Sequence, residues 1–302
     1  MKKLLGIRNW RRHVAGVLAL FLLLSVCPIQ AGAAEPGEAI VALGADLTPE
    51  QRATVLELMQ LTEADLENYT VITITNDQEH QYLDGYVPAN VIGSRSLSSV
   101  LVSPLAKGSG LQVTTHNISY CTVSMYRNAL LTAGIEDAEV IVAAPANISG
   151  TAALIGAVKA YETMTGEAVA DDVLETATNE LVLTGELGDV LGNSEKASEV
   201  IAYIKQQILE SGAETPEEIE EIVRNAADKY SISLSEEDMA KIRELMGKIS
   251  QLDLDVGALA EQAQELYQKI QDMGLEVDGE KVGNFFTRLL DSILEFFKEL
   301  FS

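Results

Sequence analysis

The sequence predicts an α+β fold: a small four-stranded sheet with helices over residues 34–166, followed by an acidic all-helical domain over residues 167–302. Three observations carry this. Alternating stretches rich in β-branched residues, such as Tyr69-Thr70-Val71-Ile72-Thr73-Ile74-Thr75, all precede Gly166. After Gly166 the apolar residues recur at helical spacing and no convincing strand appears. The charge shifts at the same place, with 31 acidic and 11 basic residues in 166–302 against 15 and 5 in 34–165.

Residues 1–33 read as a signal peptide cleaved near Ala33. Lys2, Lys3, Arg8, Arg11 and Arg12 make a basic start, residues 14–26 are almost all apolar, and Ala31-Gly32-Ala33 offers small residues for cleavage. The apolar run is shorter than the roughly 20 residues of a comfortable membrane span. Arg11-Arg12 lacks the rest of a twin-arginine motif. Cys27 has bulky Val26 before it, where a lipoprotein box wants a small residue. The expected location is therefore outside the cytoplasm. The formal net charge of the whole chain is −25, and this segment removes five bases and no acid, leaving −30. Nucleic acid and anionic membranes are held mainly by Lys and Arg, so neither is an expected partner. Cys121 is then the one cysteine left, which excludes an internal disulfide.

Taken in order, residues 34–46 read as a tail. Thr48-Pro49-Glu50 starts a helix: a hydroxyl cap, a proline at the first position and an acid near the positive helix end. Residues 69–75 form a strand, and Asn76 caps a short helix ended by Asp84-Gly85. Residues 96–103 and 110–118 are two strands, joined as a hairpin by the loop between them. Residues 124–133 form a helix stopped by Gly134, residues 140–144 a short apolar strand, and residues 150–164 an alanine-rich helix. The middle of this order, β-α-β-β-α-β, is the ferredoxin-like pattern, with a three-layer αβα sandwich as the alternative.

The helical half divides into helices at 171–184, 195–210, 216–229, 236–250, 256–273 and 282–301. Thr215-Pro216-Glu217-Glu218 and Ser235-Glu236-Glu237-Asp238 are capped starts. Leu47 to Met59 and Leu234 to Met246 echo one another, as two good helix starts do without shared ancestry. The last helix carries Phe285, Phe286, Phe296, Phe297 and Phe301 at three- and four-residue spacing. It reads as an amphipathic element that docks on its own domain or self-associates.

Several stretches in order make the sequence recognisable. They include Leu43-Gly44-Ala45-Asp46-Leu47, Ile92-Gly93-Ser94, Ser98-Ser99-Val100, Gly108-Ser109-Gly110-Leu111 and Asn117-Ile118-Ser119. They continue with Met125-Tyr126-Arg127-Asn128-Ala129-Leu130, Thr132-Ala133-Gly134 and Ser149-Gly150-Thr151-Ala152-Ala153-Leu154. Together these resemble the DUF1002 family of predicted secreted bacterial proteins, over most of residues 40–165 and more loosely beyond. The resemblance implies export from a Gram-positive-type bacterium. It implies no activity and defines no functional residues.

The candidate ligand-binding residues lie between 117 and 151. Tyr126, Arg127 and Asn128 sit early in one helix, where the five-donor guanidinium either clamps a carboxylate or phosphate or pairs with an acid such as Asp84 or Glu136. Asn117 and Asn147 suit turn backbone or a ligand. Ser149-Gly150-Thr151 opens a helix, where free N–H groups and small residues favour an anion, or where Ser149 simply caps. Hydrolytic parts are sparse. Cys121 with His116, or Ser119 with His116 and Asp84, would need the fold to assemble them. Asp253-Leu254-Asp255 begins like a calcium loop without its glycine and closing glutamate. Zinc spacing and a dinucleotide fingerprint are missing, so no metal or cofactor is expected. The leading reading is a non-enzymatic exported protein that binds a ligand or an envelope or protein partner. An envelope hydrolase using the same region is the rival, and self-assembly through the last helix is a third. What separates them is whether Arg127 and the 149–151 helix start face a common cleft.

Overall fold

The computed structural model describes residues 38–84, 87 and 89–272. Residues 1–33, expected to be a signal segment, and the Phe-rich stretch expected to be a helix over 282–301 lie outside the described residues.

The class is α+β, and the sheet has five strands rather than four. The additional strand is β1, Ile40–Gly44, within what reads as a tail. All five of its residues are buried, so it carries none of the polar alternation that marks a half-exposed strand. Helix α1, Pro49–Leu58, follows, with Thr48 and Gln51 closing a capping box. A single 3₁₀ turn at Asp65–Asn68 leads into β2, Thr70–Ile74. Helix α2, Asn76–Leu83, is capped by Thr75 with Gln78 rather than by Asn76. A short helix α3, Ala89–Ile92, precedes β3, Ser99–Pro104, and β4, Gln112–Ile118. Helix α4, Val123–Thr132, runs to β5, Ala138–Ile148, which is eleven residues long, and then α5 spans Thr151–Thr165.

The strand order is β2-β1-β3-β5-β4, so neither the ferredoxin-like order nor the β3–β4 hairpin forms. β5 lies between those two strands, antiparallel to β3 and parallel to β4. The reason is burial. The first four residues of β3 are fully buried, as are Val140, Val142, Ala143 and Ala144 of β5, so each needs a neighbour on both sides. The intervening loop crosses the start of β5 and is fastened there: the Gly108 and Gly110 amides donate to the Asp137 carboxylate at 3.0 and 2.8 Å.

Alternation across the sheet builds the three-layer sandwich that was the alternative reading. Val41, Leu43, Leu101 and Ala143 face α1 through Val55, Leu56 and Met59. Ile40, Ala42, Val100, Val102, Val140 and Val142 face the other way, toward α2, α4 and α5. That second core continues into the helical half through Leu174, Ala177 and Leu181 of helix α6, Asp171–Leu191.

Helices α7 (Ser194–Ser211), α8 (Pro216–Lys229) and α9 (Glu236–Ile249) make a further core. The α7 contributors, Ala197, Val200, Ile201, Ile204 and Ile208, repeat every three or four residues as a one-faced helix requires. Helix α10, Val256–Asp272, packs back across α7 and α4. Thr215 and Ser235 both close capping boxes as their sequences predict.

Two buried polar groupings sit among these helices. One joins α4, α6 and α7: Lys205 Nζ donates to Glu180 Oε1 at 2.8 Å and to Thr132 Oγ1 and the Asn128 carbonyl, both at 3.0 Å. The other is Glu199 on α7, buried beside the Tyr230 hydroxyl and Lys229. Lys229 lies 3.4 Å from the Tyr203 ring centroid. Burial pushes the Glu199 carboxyl up to about 7 and draws the Lys229 ammonium down to about 8.

A carboxyl with a raised folded value binds its proton more tightly folded than unfolded. Its contribution therefore falls as pH rises from 4.5 to about 7 and is flat above. Across that window the loss is on the order of 3 kcal/mol. Urea denaturation of Glu199→Gln is expected to show a flatter pH dependence there than wild type. Identical slopes would refute the assignment. Lys229 acts in a separate window, where stability rises with pH between about 8 and 10.5.

Candidate functional site

Strands β1, β2, β4 and β5 all run in one direction, with β3 opposed, so four carboxyl ends gather along one edge of the sheet. In open α/β sheets this is the crest where ligands enter, because the chain leaves each strand there and opens a crevice. A cleft of about 420 Å³ occupies it here. Its walls come from the turns after β4 (Ser119, Tyr120) and β5 (Ser149), from the stretch before β3 (Arg95, Ser98), and from the first residues of α2 and α5 (Glu79, Thr151).

Glu79 forms the floor. It is 1 % exposed, and its Oε2 accepts from Thr151 Oγ1 at 3.0 Å. Burial raises its pKa, opposed by hydrogen bonds from Thr151, Asn76 and Ser96 and by the charge of His80. The carboxyl therefore holds a proton more readily than a surface glutamate. It sits at the start of α5, where either a negative charge or an acceptor complements the helix dipole.

Serine chemistry completes that helix start. Ser98, 55 residues away, accepts the Ala153 amide at 3.0 Å. The cap position belongs to Gly150, at φ +94°, and not to Ser149. Gly150 is held closely: the Tyr126 hydroxyl donates to its carbonyl at 2.5 Å, and a Cβ built there would stand 2.5 Å from that hydroxyl oxygen and 2.7 Å from Ile118 Cγ2.

The eight candidate residues do not converge. Ser149 and Thr151 line the crest cleft. Gly150 and Tyr126 support it from behind as a buried lock. Asn117, at φ +59°, donates to the Ala144 carbonyl at 2.9 Å and shapes a bulge between β4 and β5. Asn147 is exposed on the end of β5. Asn128 is fully buried, donating to the Ser198 carbonyl at 2.9 Å. Arg127 opens on a different cleft, where it pairs with Glu265 at 2.7 Å rather than with Asp84 or Glu136. Arg127 and the 149–151 helix start thus face separate clefts.

The hydrolytic sets are not assembled either. Ser119 donates to the Ile148 carbonyl at 3.0 Å. Cys121 is buried against the Tyr126 hydroxyl, and burial pushes its thiol up to about 12, away from thiolate reactivity. Asp84 pairs with His80 instead, at 2.7 Å, and this bond raises the His80 pKa. Among the described residues no group of three or more His, Cys, Asp or Glu side chains is placed to hold a metal ion.

Residues 43–266 match the family described as "Protein of unknown function (DUF1002)". The chain belongs to the DUF1002 family. It is 40 % identical over 289 residues to the uncharacterized protein YpuA of Bacillus subtilis (strain 168), a match covering 94 % of this chain and 98 % of that one. No solved structure matches it. Several of the stretches by which the chain resembles DUF1002 proteins meet at the crest cleft, among them Ile92-Gly93-Ser94, Ser98, Ser119 and Ser149. Glu79 and Arg95 escape a reading by motif. Glu79 looks like an ordinary first-turn acid of a short helix, and only the fold carries it to Thr151, 72 residues on.

Proposed function

We propose that this DUF1002 protein is an exported, non-enzymatic binding protein that takes a small polyhydroxylated, sugar-like molecule into the crest cleft. The observation that carries this reading is the cleft itself, lined by Ser94, Ser119 and Ser149, with the buried Glu79, its pKa raised by burial, held against Thr151. Hydroxyls both donate and accept, and they match a ligand whose own groups do the same. Val91, Ile148 and Ala152 give the cleft apolar lining beside them, and a few polar groups around an apolar surface are what small-molecule sites require. Its volume lies within the roughly 300–1,000 Å³ of such sites. The basic start, apolar run and small-residue end of residues 1–33 support export.

Ligand-observed NMR with N-acetylglucosamine, glucose and ribitol tests it. At least one is expected to bind saturably to the wild type. Ser94→Trp, at the exposed rim, is expected to weaken that binding about tenfold or more, which corresponds to roughly 1.4 kcal/mol. If none of the three binds, or if the Ser94→Trp protein binds equally well, the crest-cleft reading is wrong.

A further inference from the structure

The second cleft carries its own chemistry. It lies between β4, α4 and α10, with a volume of about 480 Å³, and its charged and amide side chains are Gln112, Arg127, Glu136, Glu139, Gln262 and Glu265. β4 is an edge of the sheet, and among the described residues β5 is its ladder partner on one side only. The seven residues of that edge include no proline and no lysine, which natural edge strands use to repel pairing, and its one irregularity is the bulge at Asn117, beyond the regular run 112–116.

Two polar atoms at this cleft lack a partner. Gln262 is 1 % exposed; its amide nitrogen donates to Asn128 Oδ1, while its Oε1 accepts from nothing. Arg127 gives Nη2 to Glu265, while its buried Nε donates to nothing. Both atoms are covered by the protein itself, so the groups the cleft offers to an incoming chain are its carboxylates and the β4 edge.

The charge balance selects the kind of peptide. Glu136, Glu139 and Glu265 line the cleft with one arginine, and because Glu265 already neutralises Arg127, Glu136 and Glu139 carry the excess negative charge. The Glu136 carboxyl is pushed up by burial and by the nearby Asp255 and Asp137, with Lys107 opposing them. A cation arriving here would relieve that repulsion. An anion would meet it, in a chain of net charge −25.

We propose that this cleft is a docking groove for an extended, lysine- or arginine-bearing segment of a partner polypeptide, which adds along β4 as a sixth strand. Main-chain bonds to the edge would supply affinity, and basic side chains of the segment would reach Glu136 or Glu139 to supply selectivity.

Fluorescence anisotropy with a labelled peptide of four Lys-Val repeats tests this on the purified protein. Saturable binding is expected. A peptide of four Lys-Pro repeats has the same charge but lacks half the backbone donors, and it should bind at least about tenfold more weakly. Hydrogen exchange should slow across 112–118 when the Lys-Val peptide is bound. Glu136→Lys/Glu139→Lys, once shown by circular dichroism to be folded, should weaken binding by a similar factor. Absent binding, equal binding of the Lys-Pro peptide, protection elsewhere, or full displacement by spermine at matched charge would each overturn the proposal. The two peptides and the exchange map use the wild type, so the test stands even if the double variant does not fold.

Discussion

Replacing Lys205 with alanine is expected to destabilise the protein by about 3–5 kcal/mol, the cost of leaving one half of a buried ion pair behind. Lys205 and Glu180 are both 0 % exposed. All three donors of the ammonium are used, on Glu180, Thr132 and the Asn128 carbonyl. Glu180 Oε2 also accepts from Thr132. Removing the ammonium therefore strands a carboxylate and a carbonyl inside a core shared by α4, α6 and α7. Burial draws the Lys205 pKa down, and the charge and hydrogen bond of Glu180 oppose that shift. The double replacement Lys205→Met/Glu180→Leu fills similar volume without charge, and it should recover at least half of the single-variant loss. Urea denaturation midpoints measure both. If the single variant loses less than about 1 kcal/mol, within the range of a surface pair, the network is not the interlock described.

Gly150→Ala is expected to cost about 2–5 kcal/mol, from two sources. A left-handed backbone costs a residue with a Cβ about 1–2 kcal/mol, and crowding a packed interior adds about 1–3. The φ of +94° supplies the first, and the contacts at 2.5 Å to Tyr126 Oη and 2.7 Å to Ile118 Cγ2 supply the second. Tyr126 is itself fully buried, so the ring cannot swing away without opening the core. Tyr126→Phe removes only the hydroxyl and its bond to Gly150. Combined with Gly150→Ala, it should give a loss smaller than the sum of the two single losses, with the Ile118 contact remaining. Strictly additive losses would show that the tyrosine hydroxyl and the glycine do not share the space described. Because this lock sits directly behind Ser149 and Thr151, its loss should also blunt ligand binding at the crest.

The helix starts were legible because their causes are local. Thr48, Thr215 and Ser235 each reach an amide three residues ahead, and a reader needs only that window. The helical character of the second half was equally plain, since its apolar residues repeat on one face whatever they pack against. β1 was not legible. Five buried residues without alternation inside an apparent tail become a strand only because β2 and β3 are there to pair with it. The supposed hairpin failed for a related reason. A short glycine-bearing loop fits a hairpin and equally fits a crossing over the start of β5; the burial of β3 and β5 decides between them, and Asp137 fastens the loop from 27 and 29 residues away.

The candidate residues divide in the same manner. The sequence singled out Ser149, Gly150, Thr151 and Arg127 as residue types capable of recognition, and the fold placed them on two different clefts. It brought Glu79 to Thr151 and Glu265 to Arg127, partners far apart along the chain. By itself the sequence determined the α+β class, the acidic character, the capped helices and the family. Only the tertiary structure decided strand order, which cleft each polar group serves, and which charges are buried. Caps and periodicities act within one helical turn, whereas strand pairing and ion-pair choice depend on which apolar faces meet, and that is settled only when the whole chain packs.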